Sequence, residues 1–196
     1  MDTKERILQT ALELYNTQGV NVITSRHIAA KMGISGGNLH YHFKHTDEII
    51  TILYGRLSAA FDKIMSSFGS PDTVSLDILK QLTKESFELV YQYRFIFLHF
   101  VEIGMRIPAI EKDYRALTQR RKNEFLSIFE QLKAAGVFRT DLPATVWETL
   151  VTQIFIVADF WLSNNELTLK LKGGKAIAHY GQVFSNMFYP YLTEGV

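Results

Sequence analysis

The chain has 196 residues, 47% of them hydrophobic, and 21 basic against 20 acidic side chains, for a net charge of +1. That length buries a substantial core without staples, and the absence of Cys excludes disulfides, thiolate zinc sites and cysteine catalysis. A charge near zero excludes a polybasic protein, so any contact with nucleic acid has to come from a local patch.

Met1-Asp2-Thr3-Lys4-Glu5-Arg6 reads as the start of a helix and not as a secretory signal. The longest apolar stretches, around Phe95 to Val101 and Ile154 to Leu162, are too short or too interrupted to cross a bilayer. The expectation is a cytoplasmic protein with no membrane partner. The first helix is predicted over Thr3 to Thr17, with Ile7, Leu8, Ala11, Leu14 and Tyr15 on its inner face. Asp2 and Glu5 have the spacing of a capping box.

Residues 24 to 43 predict two short helices joined by a tight turn. Thr24 is a good N-cap, Ile28, Ala29 and Met32 share one face, and Gly33 ends the helix because it adopts the left-handed conformation at little cost. Ser35 is placed to cap the next helix, which Leu39 and Phe43, four apart, anchor inward. Gly36, Gly37, Asn38, His40, Tyr41 and His42 are left around the outside or edge. This set suits double-stranded DNA. Gly36 and Gly37 allow close backbone approach to a phosphate, Asn38 both donates and accepts as adenine readout requires, and His40, Tyr41 and Lys44 are placed for phosphates or base edges. From Leu14 to Thr46 there is no Asp or Glu, while Arg26, Lys31 and Lys44 are basic.

Over Arg6 to about Ile50 the sequence resembles the N-terminal domain of the TetR/AcrR family of bacterial transcriptional regulators. The match is carried by Ile7-Leu8, Ala11, Leu14-Tyr15, Gly19, Thr24-Ser25, Ile28-Ala29, Gly33-Ile34-Ser35, Gly37, Leu39 and His42-Phe43. The resemblance implies a nine-helix homodimer with a small DNA-binding head and a larger body for an effector. It implies DNA contacts from Ser25 and Arg26 on the second helix and from Gly36, Gly37, Asn38, His40, Tyr41 and His42 on the third. Thr24, Ser35 and Lys44 flank these. The chain departs from the family pattern at His40, usually Tyr, and at Thr46, usually Lys, which removes one charge from the expected DNA surface.

A helix starting at Thr46, with Asp47 and Glu48 set against its dipole, continues one apolar stripe from Ile49 to Phe68 and stops at Gly69-Ser70-Pro71. No Pro- or Gly-rich linker intervenes, so head and body share this helix; the domains are taken as 1–46 and 47–196. Further helices are predicted over about Asp72 to Tyr93, over an apolar segment from Arg94 to Met105 that reads as buried on nearly every side, and over Pro108 to Ala135. Arg120-Arg121-Lys122 reads as a solvated face. The last two, about Pro143 to Leu162 and Lys175 to Leu192, carry more than one apolar stripe, and the expectation is a homodimer through a two-fold four-helix interface. Strand alternation is absent, so the class is all-α: about nine helices, a three-helix helix-turn-helix domain and a helical effector-binding and dimerisation domain.

Polar groups embedded in apolar runs, Arg94, His99, Glu102 and Asp159, are either structural pairs or anchors for an effector. With Phe97, Phe100, Met105, Phe129 and Phe155 they form the candidate pocket for an unknown small, mostly apolar effector. His40, His42 and His45 lack a carboxylate or Cys nearby, so no metal and no cofactor is expected. No nucleophile elbow, P-loop, paired-His metal motif or dinucleotide fingerprint occurs, so the reading is a DNA-binding regulator and not an enzyme. A ligand-responsive repressor on a palindromic operator is favoured over an activator or a constitutive binder without an effector.

Overall fold

The computed structural model of the chain describes residues 2–66 and 75–193. Among these residues it has ten α-helices, a 3-10 turn at Tyr189–Tyr191 and no strand beyond a single bridge between Phe138 and Leu192. The helices are α1 (Thr3–Gln18), α2 (Ser25–Met32), α3 (Gly36–His42), α4 (Thr46–Ser66), α5 (Leu76–Gln92), α6 (Arg94–Leu98), α7 (Phe100–Arg106), α8 (Pro108–Ala134), α9 (Ala144–Leu167) and α10 (Gly174–Asn186). The expected nine become ten because the segment after Arg94 breaks at His99 (φ −123°, ψ 25°), whose N–H closes on the Ile96 carbonyl at 3.3 Å. That segment is not buried on every side either, since Val101 and Met105 are 61% and 79% exposed. Helix α10 stops at Asn186, short of Leu192, and Pro190 sits in the 3-10 turn that follows. Phe68, the Gly69-Ser70-Pro71 stop and the expected start at Asp72 lie outside the described residues.

The chain packs as two compact units. The first holds residues up to Ala59 together with Tyr93–Lys112. Ile7, Leu8, Ala11, Ile28, Leu39, Ile49 and Ile50 form its interior, with almost no exposed surface. Helices α2 and α3, of 8 and 7 residues, are too short to persist alone. Burying a large apolar side chain contributes about 1.5–3 kcal/mol, and this docking supplies their order. Helices α6 and α7 close over the same unit: Phe95 packs on Tyr15 at 5.1 Å, its N–H donates to Asn16 at 3.1 Å, and Arg106 pairs with Asp47 at 3.3 Å. The capping box expected at α1 is not formed. Asp2 makes no side-chain cap bond, and Glu5 is drawn away by a bidentate pair from Arg56 at 2.8 and 2.6 Å.

The second unit comprises Ala60–Gln92 and residues from Asp113 onward. Phe87 stacks on Trp161 at 5.2 Å and meets Phe184 edge-on at 5.4 Å, tying α5, α9 and α10 together. Phe129, Phe138 and Trp147 form a second aromatic cluster. The turn after α9 is built around fully buried Asn165, whose amide donates to the Leu171 carbonyl and accepts from its N–H, both at 3.0 Å. Arg121 corrects the expectation of a solvated Arg120-Arg121-Lys122 face: it is only 6% exposed and is held by Asp62 and Glu124. Helix α9 also departs from the sequence reading, being long and apolar enough by length and composition to cross a bilayer, with a mean hydropathy of 1.2 over an 18-residue window. Its Trp147, Leu150, Ile154, Trp161 and Leu162 are instead buried within the unit.

Candidate functional site

The first site is the α2–α3 pair, whose ends are set by local bonding. At the α2 N-terminus the Thr24 hydroxyl accepts from the His27 N–H, while the His27 ring accepts from the Thr24 N–H at 3.2 Å. This is a capping box in which His replaces the usual Glu or Gln. Gly33 closes α2 in the left-handed region (φ 66°, ψ 31°), its N–H and that of Ile34 returning to the Ala29 and Ala30 carbonyls. The Ser35 hydroxyl then accepts from the Asn38 N–H at 3.1 Å to open α3. Leu39 and Phe43 are buried, which turns the other face of α3 outward.

On that face Gly36, Gly37, Asn38, His40 and Tyr41 are exposed, Tyr41 by 86%, and His42 is half-buried against it, edge-on at 5.3 Å. A Cβ at Gly36 would meet nothing within 4 Å, so no packing inside the unit requires glycine there. Arg26, Lys44 and Thr24 are exposed, with Ser25 and Thr46 half-buried. Among the described residues Arg26 and Lys44 have no acidic partner, whereas Lys31 meets Glu13 at 3.5 Å. Of the three, Arg26 on α2 and Lys44 just past α3 are thus left without an ion pair. All twelve residues expected to contact DNA lie on this one structural unit; His27, whose ring completes the α2 cap, was not among them.

The second site is a cavity of about 140 Å³ inside the second unit. Helix α4 contributes Phe61 and Met65, α5 contributes Leu82, Ser86 and Phe87, and α8 contributes Tyr114, Leu117, Arg121 and Phe125. Helix α9 adds Ile154, Phe155, Ala158 and Asp159, and Phe184 and Phe188 complete the wall. A larger space of about 280 Å³ adjoins it, sharing Leu79, Thr83 and Phe188 and lined otherwise by Lys80, Gln182, Ser185, Asn186, Tyr189 and Leu192. Asp159 is 8% exposed and accepts a hydrogen bond from the Tyr114 hydroxyl. Burial raises its carboxyl to about 6, against the opposing pull of that hydrogen bond.

Of the nine residues expected around an effector, Phe155 and Asp159 line this cavity. Phe129 packs in the neighbouring aromatic cluster instead. Arg94, Phe97, His99, Phe100, Glu102 and Met105 lie in the first unit. There Glu102 accepts from Asn21 at 3.0 Å and faces His99 at 3.5 Å, and the Asn21 hydrogen bond is the main reason its carboxyl sits below the usual range. Phe61, Tyr114 and Phe125 were missed because their intermediate burial looks, in sequence, like any other core position.

A helix-turn-helix with an outward second helix, on a chain whose α4, α5, α8, α9 and α10 line an apolar cavity, defines a DNA-binding regulator. The model for bacterial regulatory proteins of the tetR family matches residues 7–51, and that for bacterial transcriptional repressors of the TetR type matches residues 58–196. The chain belongs to the TetR family. It is 24% identical over 196 residues to the HTH-type transcriptional repressor BepR of Brucella suis, covering 95% of this chain and 90% of that one. A TetR-family regulator from Marinobacter aquaeolei is similar in structure, with a TM-score of 0.86 and 26% identity over 99% of this chain and 93% of that chain. SmeT, the repressor of a Stenotrophomonas maltophilia multidrug efflux pump, has a TM-score of 0.72 at 16% identity over 100% of this chain and 93% of its own, and is also known in complex with triclosan.

Proposed function

We propose that the chain is a cytoplasmic, ligand-responsive repressor that binds a palindromic operator as a homodimer, with α3 in the major groove. The observation that carries this reading is the outward face of α3, where Gly36, Gly37 and Asn38 are exposed, on a unit whose exposed Arg26 and Lys44 make no ion pair among the described residues. Asn38 reads a base edge, while Ser25, Arg26, Tyr41 and Lys44 hold phosphates. One α3 of 7 residues reads few base pairs. Two related by a dyad read half-sites about one helical turn apart, or a multiple of it.

Dimerisation is assigned to α9 and α10. Ile156, Phe160 and Val183 remain 57%, 41% and 42% exposed after the unit has closed, a surplus of apolar surface that a second copy covers. The cavity is the effector site, as the triclosan complex of SmeT encourages. An effector acts by binding one dimer geometry better than the other, a coupling of about 1–3 kcal/mol.

Selection of binding sites from random duplex DNA at two salt concentrations, with light scattering on the same sample, tests the reading. A palindromic consensus and a dimer mass are expected. A sequence-indifferent or asymmetric pool, or a monomer that still selects, overturns it.

A further inference from the structure

We propose that the cavity of the second unit selects small apolar molecules carrying one positive charge, aryl- or alkyl-ammonium ions, with Asp159 as their counter-ion. This rests on the reading of the cavity as the effector site and names the class of effector.

Charge on the wall is the first argument. Among the described residues two ionic side chains line the cavity, Arg121 and Asp159. Arg121 is already held between Asp62 and Glu124, and Arg120 adds a second cation on Asp62 at 2.7 Å, so that cluster balances two positive charges against two negative. Nothing is left over to attract an anion. Among the described residues Asp159 makes no ion pair, Arg121 on the same wall being held by Asp62 and Glu124; Asp159 accepts instead from the neutral hydroxyl of Tyr114. A buried carboxylate without a countercharge is costly to keep ionised, and a ligand ammonium supplies what the protein withholds.

The rest of the wall suits the remainder of such a ligand. Phe61, Phe125, Phe155 and Phe184 present aromatic surface around the carboxylate, and ring faces attract cations as well as apolar bodies. Phe155 lies four residues before Asp159, on the same side of α9, so one helix face offers a ring and a charge together. Size sets a minimum. The cavity measures about 140 Å³, close to the roughly 150 Å³ in which an apolar cavity holds benzene, so a single ring with one amine fits it, and the adjoining space at Leu79, Thr83 and Phe188 leaves room for a longer body.

Titration calorimetry on the full chain tests this with benzylamine, benzyl alcohol and phenylacetate, which share a ring and differ in charge. Benzylamine is expected to bind most tightly and phenylacetate least. Asp159→Asn should lower benzylamine affinity ~10- to 100-fold, the worth of a charge-assisted contact, and leave benzyl alcohol within about twofold. Tyr114→Phe keeps the carboxylate, so the preference for amine over alcohol must persist in it, whether or not Asp159→Asn folds. Benzyl alcohol binding as well as benzylamine to the wild type would overturn the ligand class while leaving the cavity as an effector site. Failure of all three probes to bind would overturn both. Unchanged benzylamine affinity in Asp159→Asn, or loss of the amine preference in Tyr114→Phe, would remove Asp159 as the counter-ion.

Discussion

Replacing Asp159 by Asn should make the protein more stable at neutral pH, and by an amount that depends on pH in a defined direction. Burial lifts the Asp159 carboxyl from 3.8 to about 6. Between those values the folded chain keeps a proton that the unfolded chain has released. The protonated folded state is therefore favoured at low pH, and this contribution is lost as pH rises through the interval. Above about pH 6 the folded protein carries a buried charge that the unfolded one solvates freely. At about 1.4 kcal/mol per pH unit of difference, the deficit reaches about 3 kcal/mol at pH 7.5. Asparagine cannot ionise, has nearly the same shape, and its carbonyl still accepts from the Tyr114 hydroxyl.

Urea unfolding followed by circular dichroism at pH 4, 5, 6 and 7.5 measures the difference directly. Wild type and Asp159→Asn should coincide near pH 4 and diverge with rising pH, the variant ahead by as much as about 3 kcal/mol at pH 7.5. A gap that stays constant with pH, or a variant less stable than wild type at pH 7.5, would refute the account of Asp159 as a buried acid without a countercharge.

Four further outcomes are expected. Asn38→Ala should cost about 1–3 kcal/mol of operator affinity and relax base preference at one position per half-site; uniform weakening over all sequences would place Asn38 on the backbone. Lys44→Ala should weaken binding to every duplex and lower the slope of log affinity against log salt by about one, and an unchanged slope excludes a phosphate contact. Ile156→Glu, at a side chain 57% exposed in the protomer, should turn the dimer into a monomer in light scattering while shifting protomer stability by no more than about 0.5 kcal/mol; a persisting dimer removes α9 from the interface. Arg121→Ala removes a buried guanidinium from Asp62 and Glu124, which Arg120 still pairs at 2.7 and 3.8 Å, so urea unfolding should show a loss of about 1.5–3 kcal/mol, and a loss near zero would return Arg121 to a solvated face.

Much of the helix-turn-helix was legible because its rules are local. Thr24, Gly33 and Ser35 act on backbone groups within four residues of themselves, and Leu39 and Phe43 report the inner face by spacing alone. The end of α1 was misread for the converse reason. Asp2 and Glu5 have the spacing of a box, but Arg56, 51 residues away, offers Glu5 a charged partner and wins. The same distance effect hid the cavity. Asp159 was conspicuous as an acid in an apolar run, but Tyr114, 45 residues earlier, carries no mark of its role. The run from Arg94 to Met105 announced burial without saying in which core. Phe95 settles that by packing on Tyr15, taking Phe97, His99 and Glu102 into the first unit with it.

Helix α9 explains how one element can serve both halves of the proposed regulation. Its Phe155 and Asp159 face the cavity, whereas Ile156 and Phe160, each one residue on, stand exposed about 100° further around the helix. A helix that turns one apolar face inward and leaves another exposed has little room for polar residues, which is how its composition approaches that of a bilayer-crossing segment. Under the proposed function the two faces bind different things, a ligand within and a second protomer without. A ligand that favours one orientation of α9 then necessarily favours one dimer geometry, and the reverse holds equally, because coupling between two equilibria is reciprocal. No separate relay from cavity to interface is required: they are adjacent faces of the same backbone.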